Sequence, residues 1–304
     1  MFTHFLVPLD GSALAEAILP VARTLAHACH ARVTLLHVVE PAAPATIHGQ
    51  AHLMNADAAE RYLKERAHEL AQQGIAADWH VDVAEGGDIV QAIFAHGLEL
   101  RADLILLADH GASGLKSHLL GSIPQQVLHR GEIPVLLVCT ATLAQRAFQC
   151  QSVLVPLDSS ALYETALAAA SEIARASHAT LHLVIVVPTV DALSPERSAT
   201  GMILPTSTRA VLDLAENGAR QYLAAKLDEL HTQQLKADGH VARGDVVTKI
   251  LEQADSVHAD LLVMATHGRA GLDAFWSGSI APRVVKRATV PILLLRVTGD
   301  EPVR

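Results

Sequence analysis

The sequence predicts two tandem α/β domains, each a doubly wound parallel sheet of about five strands with helices on both faces. Three observations carry this. Short continuous runs of Val, Leu and Ile alternate with longer stretches of helical periodicity, the mark of strands buried on both faces. The whole alternation occurs twice, since "LVPLDGSALAEA" (6–17) returns as "LVPLDSSALYET" (154–165), with nine of the first eleven positions identical. At 304 residues the chain is also two domains long by a prior of about 150 residues per domain.

The elements of the first copy follow in order. "HFLVPLD" is a buried strand. "SALAEAILPVARTLAHACH" is a helix opened by Ser12, a residue type that caps orphan amides; Pro20 inside it predicts a kink. "RVTLLHVVE" is a second strand and "PAAPATIHGQAH" a loop. "NADAAERYLKERAHELAQQG" is an amphipathic helix ending at Gly74. "ADWHVDVAEG" is a third strand and "GDIVQAIFAHGLELRA" a third helix. "DLILLAD" is the fourth strand, followed by a glycine-rich loop. "SIPQQVLHRGE" is the fourth helix and "IPVLLVCT" the fifth strand.

The second copy starts at an offset of 148 residues. It reaches an offset of 157 at the glycine loops and at "VPILLL", so its extra length lies between Pro188 and Gly244. The first domain is expected over 1–142 and the second over 150–304.

Composition removes several function classes. A net charge of −9 leaves no basic footprint for nucleic acid or for anionic lipid. No apolar run has the length of a membrane span and the first residues do not read as a signal peptide. Cys29, Cys139 and Cys150 have no CxxC spacing, which fits a reducing, cytoplasmic setting. Eighteen histidines invite a metal reading, and His27/His30 and His48/His52 have helical spacing. No HExxH or Cys cluster supports either pair, so no metal site is assigned. No GxSxG elbow is present, and no catalytic residue is assigned.

The residues with chemistry sit where strands end. Ligands of open α/β sheets bind beyond the carboxyl ends of the strands, at the point where strand order reverses. The first strand delivers Asp10-Gly11-Ser12, and in the second copy Asp158-Ser159-Ser160. The fourth strand delivers "ADHGASGLKSHLLGS" (108–122), and in the second copy "ATHGRAGLDAFWSGS" (265–279). Each loop holds a Gly, nine residues, then Gly-Ser opening a helix. Glycine allows close backbone approach, and a helix start offers unpaired N–H donors and a positive dipole end, so a phosphate chain fits. Ser122 also stands three residues before Gln125, the spacing of a capping box, so a plain helix start is the competing reading. Neither GxxxxGK[ST] nor GxGxxG is present.

On these motifs the chain resembles a tandem member of the universal stress protein (UspA-like) family, over nearly its whole length and twice. That family carries PxDGS on the first strand and G-x2-G-x9-G-[ST] after the fourth. Here the second Gly, third Gly and Ser fall on Gly111, Gly121 and Ser122, and on Gly268, Gly278 and Ser279. The first Gly is Ala108 in one copy and Ala265 in the other, a departure from the ATP-binding pattern. The resemblance implies a Rossmann-like, adenine nucleotide alpha hydrolase-like fold and a bound ATP or AMP, with any Mg²⁺ carried in by the nucleotide. Asp10 and Asp158 would lie near ribose and phosphates. Backbone groups at Val38-Val39 and Val186-Val187 would hold adenine. The loop positions, with Ala108, Ala265, His110 and His267, would cradle the phosphates. The resemblance also implies pairing through the final strands; here "IPVLLVC" and "VPILLLR" would pair within the chain, hiding two sheet edges and making it an intramolecular pseudo-dimer, with a homodimer of whole chains left open. The implied role is stress response or signalling. Its alternatives are a scaffold acting through protein partners without nucleotide, and a weak ATPase. The first copy ranks above the second. The second has Ser159 in place of Gly, Asp273 in its loop, and Phe275-Trp276 where the first has His118-Leu119.

Overall fold

The computed structural model describes residues 2–40, 46–47, 50–51, 53, 55–83, 88–109, 122–130, 133–139, 147–158, 164–190, 205–267 and 280–297. The first repeat runs β1 (His4–Pro8), α1 (Ala13–Glu16), α2 (Leu19–Cys29), β2 (Arg32–Val39), β3 (Thr46–Ile47), β4 (Gln50–Ala51), α3 (Ala56–Gln72), β5 (Ala77–Val83), α4 (Ile89–Glu99), β6 (Leu104–Asp109), α5 (Ser122–Arg130) and β7 (Val135–Cys139). The second runs β8 (Ser152–Leu157), α6 (Glu164–Ser177), β9 (Thr180–Val187), α7 (Pro205–Thr232), β10 (Ala237–Arg243), α8 (Val246–Ser256), β11 (Leu261–His267), α9 (Ile280–Val285) and β12 (Ile292–Val297).

Alternating strand residues face opposite layers. Phe5 and Val7 join a core with α2, α3, α6 and α7, while Leu6 joins one with α4, α5, α8 and α9. The doubly wound α/β class therefore holds, with parallel strands inside each repeat. The expected loop around 46–51 contains a two-residue antiparallel ladder, β3–β4.

The first helix corrects the expectation of one kinked rod. It is broken into α1 and α2, with Pro20 in the first turn of α2. A first-turn N–H has no partner inside the helix, so Pro costs little there. In the second repeat Ala168 holds the matching place, and α6 runs unbroken through it. The extra length of the second repeat is largely helical, since α7 has 28 residues against 17 in α3.

Six helices end the same way. His30, Gly74, Arg101, His178, Gln234 and His258 all have positive φ. Each is followed by an amide that bonds the carbonyl five residues back, as in Ala31 N–H to Ala26 at 2.9 Å and Ala259 N–H to Ala254 at 2.8 Å. This is the Schellman closure, which spends an orphan carbonyl and turns the chain toward the next strand. Beyond two of these endings, an Asp pins the start of the first strand of its repeat. Asp103 accepts the amides of Thr3 and His4 at 2.6 and 3.0 Å, and Asp260 accepts those of Gln151 and Ser152 at 2.7 and 3.1 Å.

All ten long strands form one sheet in the order β10-β9-β8-β11-β12-β7-β6-β1-β2-β5. The terminal strands do pair, and they pair antiparallel, with Leu137 opposite Ile292, Leu136 opposite Leu293 and Val135 opposite Leu294. Leu136 and Leu293 are equivalent residues of the two repeats, 157 apart, so the pseudo-twofold axis passes through their pair. Both are fully buried. The joint is an isologous interface built inside one chain, and α2 packs against α6 beside it. Arg296 adds a link across it, donating from Nη1 to the Arg130 carbonyl at the end of α5 at 2.7 Å.

Candidate functional site

Within each repeat the strand order reverses at one place. In the first it lies between β1 and β6, because β2 and β5 extend one way from β1 while β6 and β7 extend the other. In the second it lies between β8 and β11. Crossover helices run back against the strands, so the beginnings of α1 and α5 lie at the carboxyl edge of the first switch point.

Asp10 stands two residues past the end of β1, at that edge. Its carboxylate accepts the Ser12 amide at 2.8 Å, and the Ser12 hydroxyl accepts the Ala15 amide at 3.0 Å, so the expected cap on α1 is present. Gly11 has φ +86°, and a Cβ there would come within 2.7 Å of the Leu53 side chain. The turn between β1 and α1 therefore needs glycine for its backbone conformation and again for space. Val38 and Val39 end β2 next door and are buried, paired with Asp82 and Val83 of β5. Buried His37 lies beside them. Its Nδ1 is 2.7 Å from the Leu9 carbonyl and its Nε2 3.1 Å from the Leu53 carbonyl, which braces the turn from both sides.

Ala108 and Ala265 lie inside β6 and β11, paired with Val138 and Leu295. Both are buried in the core shared with α2 and α6. A methyl group is thus accommodated where the family loop opens with Gly. Ser122 is the first residue of α5, and His267 the last of β11; the side chains of both lie outside the described residues. So do His110, Gly111, Gly121, Gly268, Gly278 and Ser279 entirely, together with Asp273 and the His118-Leu119 and Phe275-Trp276 pairs. In the second repeat Asp158 follows β8 directly and is exposed, and Val186-Val187 end β9 beside it.

Sequence reasoning missed a polar cluster beside each Asp. In the first repeat Arg66 lies 3.7 Å from Glu16 and 2.9 Å from Glu69, with its guanidinium 5.9 Å from the Tyr62 ring. In the second, Lys226 lies 3.0 Å from both Glu164 and Glu229, 5.7 Å from the Tyr222 ring, and the Tyr222 hydroxyl donates to Glu164 at 3.2 Å. Burial, followed by the charge of Glu164, pushes the Tyr222 hydroxyl up to about 12, and the charge of Asp158 adds to this. Tyr62 is raised by burial, then by Glu16, and Asp10 adds in the same direction. Both phenols stay protonated at neutral pH. The signal was present in "RYLKERAHEL" (61–70) against "QYLAAKLDEL" (221–230), an alignment at an offset of 160.

No group of three or more His, Cys, Asp or Glu side chains suited to a metal occurs among the described residues. No helix among them is long and apolar enough to cross a membrane. Cys29 and Cys150 are buried, and burial pushes their thiols up to about 11 and about 12, so neither is a thiolate at neutral pH.

The model of the "Universal stress protein family" matches residues 1–138 and again 150–296. The chain belongs to the universal stress protein family. A universal stress protein of Mycolicibacterium smegmatis is 26% identical over 299 residues, covering 96% of each chain. The universal stress protein YxiE of Bacillus subtilis is 28% identical over 150 residues, which is 45% of this chain and 99% of the relative. Among solved structures, a universal stress protein from Archaeoglobus fulgidus superposes with a TM-score of 0.68 at 20% identity, over 97% of this chain and 99% of that one. The last match speaks to fold: a universal stress protein of the same length class shares this double architecture.

Proposed function

We propose that this universal stress protein binds an adenine nucleotide, ATP or AMP, at the β1/β6 switch point and acts in cytoplasmic stress response or signalling. The observation that carries the reading is the convergence at one strand-order reversal of Asp10, the ends of β2 and β6, and the start of α5. An α-helix start with free amides suits a phosphate. Asp10, held by the Ser12 amide, suits ribose hydroxyls or a Mg²⁺ carried in with the nucleotide. Val38-Val39 supply backbone groups at the adenine end.

The antiparallel joint gives the reading a geometric consequence. Strands of the two repeats run in opposite directions, so the two switch points open at opposite ends of the sheet. Their first strands are five strand spacings apart, roughly 24 Å at about 4.8 Å each. One nucleotide cannot touch both, and each repeat would bind independently.

Calorimetric titration with ATP and AMP tests this. The wild type should bind. Asp10→Asn should weaken binding by about tenfold or more, because a buried polar partner loses a charged acceptor. Asp158→Asn should leave the stronger site untouched. No binding at millimolar ATP overturns the reading and leaves a scaffold acting through protein partners.

A further inference from the structure

The Glu16–Tyr62–Arg66–Glu69 cluster recurs as Glu164–Tyr222–Lys226–Glu229, and its recurrence is selective. Around it the two helices have diverged. Arg61, Lys64 and Glu65 of α3 correspond to Gln221, Ala224 and Ala225 of α7, whereas the Tyr, the cation and both carboxylates persist. The carboxylate partner comes from the same place each time, six residues after Asp10 or Asp158. The contacts persist as well, with a cation on two carboxylates and near the tyrosine ring in both repeats.

Half-buried ionic clusters are poor sources of stability. Desolvation offsets their attraction, and apolar residues of equal volume often do as well or better. Their best-attested use is to fix one geometry among several. Here the geometry at stake is that of α1, only four residues long and so unable to hold itself in place. Glu16 is its last residue. The other end of α1 is the Asp10-Gly11-Ser12 turn.

We infer that Glu16, Tyr62 and Arg66 are positioning residues that clamp α1 to α3, thereby holding Asp10 at the switch point, and that Glu164, Tyr222 and Lys226 fix the start of α6 against α7 in the second repeat. The ligand arm of this inference rests on the nucleotide reading above; the backbone arm does not. Tyr62 supplies a rigid ring against which the Arg66 guanidinium lies. Arg66 ties the carboxylate of α1 to that of Glu69 one turn further along α3. Loss of any member frees α1 to tilt, and the Asp10–Ser12 bond opens with it.

Amide hydrogen exchange on the full chain reads the backbone arm. In Glu16→Gln, the Ser12 and Ala15 amides should exchange about tenfold faster, while those of Leu25–Cys29 at the far end of α2 keep their wild-type rates. Arg66→Gln, which removes the cation from both carboxylates, is the second variant should Glu16→Gln fail to fold. ATP titration reads the ligand arm. Each substitution should weaken binding by roughly fivefold to tenfold, and should add nothing in an Asp10→Asn background, because residues acting through one another are not additive. Unchanged exchange at Ser12 and Ala15, or acceleration spread evenly over the repeat, overturns the inference. A full additive loss on top of Asp10→Asn overturns it as well. A wild type that binds no ATP, with the local exchange change present, sinks the nucleotide reading while the clamp stands.

Discussion

The two repeats share a sheet, a strand order and three helix endings each, and among the described residues they differ in the helix that follows the first strand. In the first repeat the handover is a capped turn, a four-residue helix, a break and then α2. In the second, α6 begins at Glu164 and continues without a break for 14 residues. Pro20 stands in the first repeat where Ala168 stands in the second. The comparison teaches that a duplicated fold tolerates local rebuilding beside a strand-order reversal as long as the strands and the joint between repeats are kept. Leu136 and Leu293 show the opposite behaviour, being the same residue at the same dyad position with the same full burial.

The dyad pair gives the largest expected effect. Leu136→Ala and Leu293→Ala should each cost about 2–5 kcal/mol, as large-to-small changes in a closed core do. Because the environment is symmetric, the two losses should agree within about 1 kcal/mol, and the double variant should depart from their sum, since the side chains are neighbours. Urea unfolding monitored by circular dichroism checks this. Unequal single losses would mean that the joint is less symmetric than its register.

Next comes the handover itself. Ala168→Pro places proline inside α6, removing a hydrogen bond and clashing with the preceding turn, at a cost of about 3 kcal/mol. Pro20→Ala removes a proline from a first turn, where its N–H was an orphan anyway, and should change stability by less than about 1 kcal/mol. Thermal melts of the two variants test the asymmetry. Equal effects would mean that the α1–α2 break has some cause other than Pro20.

Much of this fold is legible in the sequence because its strands are buried on both faces. A run such as "DLILLAD" can be little else between two helical stretches, and the repeat supplies each element twice. Pro20 is legible as a disturbance, but its consequence is not. Whether a proline kinks one helix or starts another depends on whether the residues before it can form a capped turn of their own, which Asp10 and Ser12 provide here. The pairing of the last strands is an expectation carried by the family resemblance. Their direction is not legible, since an apolar strand pairs either way, and with it goes the placement of the two switch points at opposite ends. At the candidate site, Asp10 can be named from a strand end, and Val38-Val39 only from the family resemblance. The Glu16–Tyr62–Arg66 cluster is harder, because its members come from two helices and only the fold shows that they meet. His37 carries no signal at all: its counterpart is Ile185, and its role depends on carbonyls of two distant turns.

The smallest effect uses a matched pair of helix endings. Gly74 closes α3 and Gln234 closes α7, at equivalent positions with φ of +82° and +61°. A side chain at Gly74 would meet nothing within 4 Å, so space plays no part and only backbone strain separates the two residues. A non-glycine residue in the left-handed region costs about 1–2 kcal/mol in the folded state, and glycine gives part of that back through its looser unfolded chain. Gly74→Gln should therefore lose, and Gln234→Gly gain, roughly 0.5–1 kcal/mol. The two changes should cancel in the double variant, because the sites lie in different repeats and share no partner. Denaturant midpoints with an unchanged slope would carry the result. A loss at both sites would mean that the Gln234 side chain contributes more than its backbone costs, and the two repeats would then differ at this ending in side-chain chemistry rather than in strain.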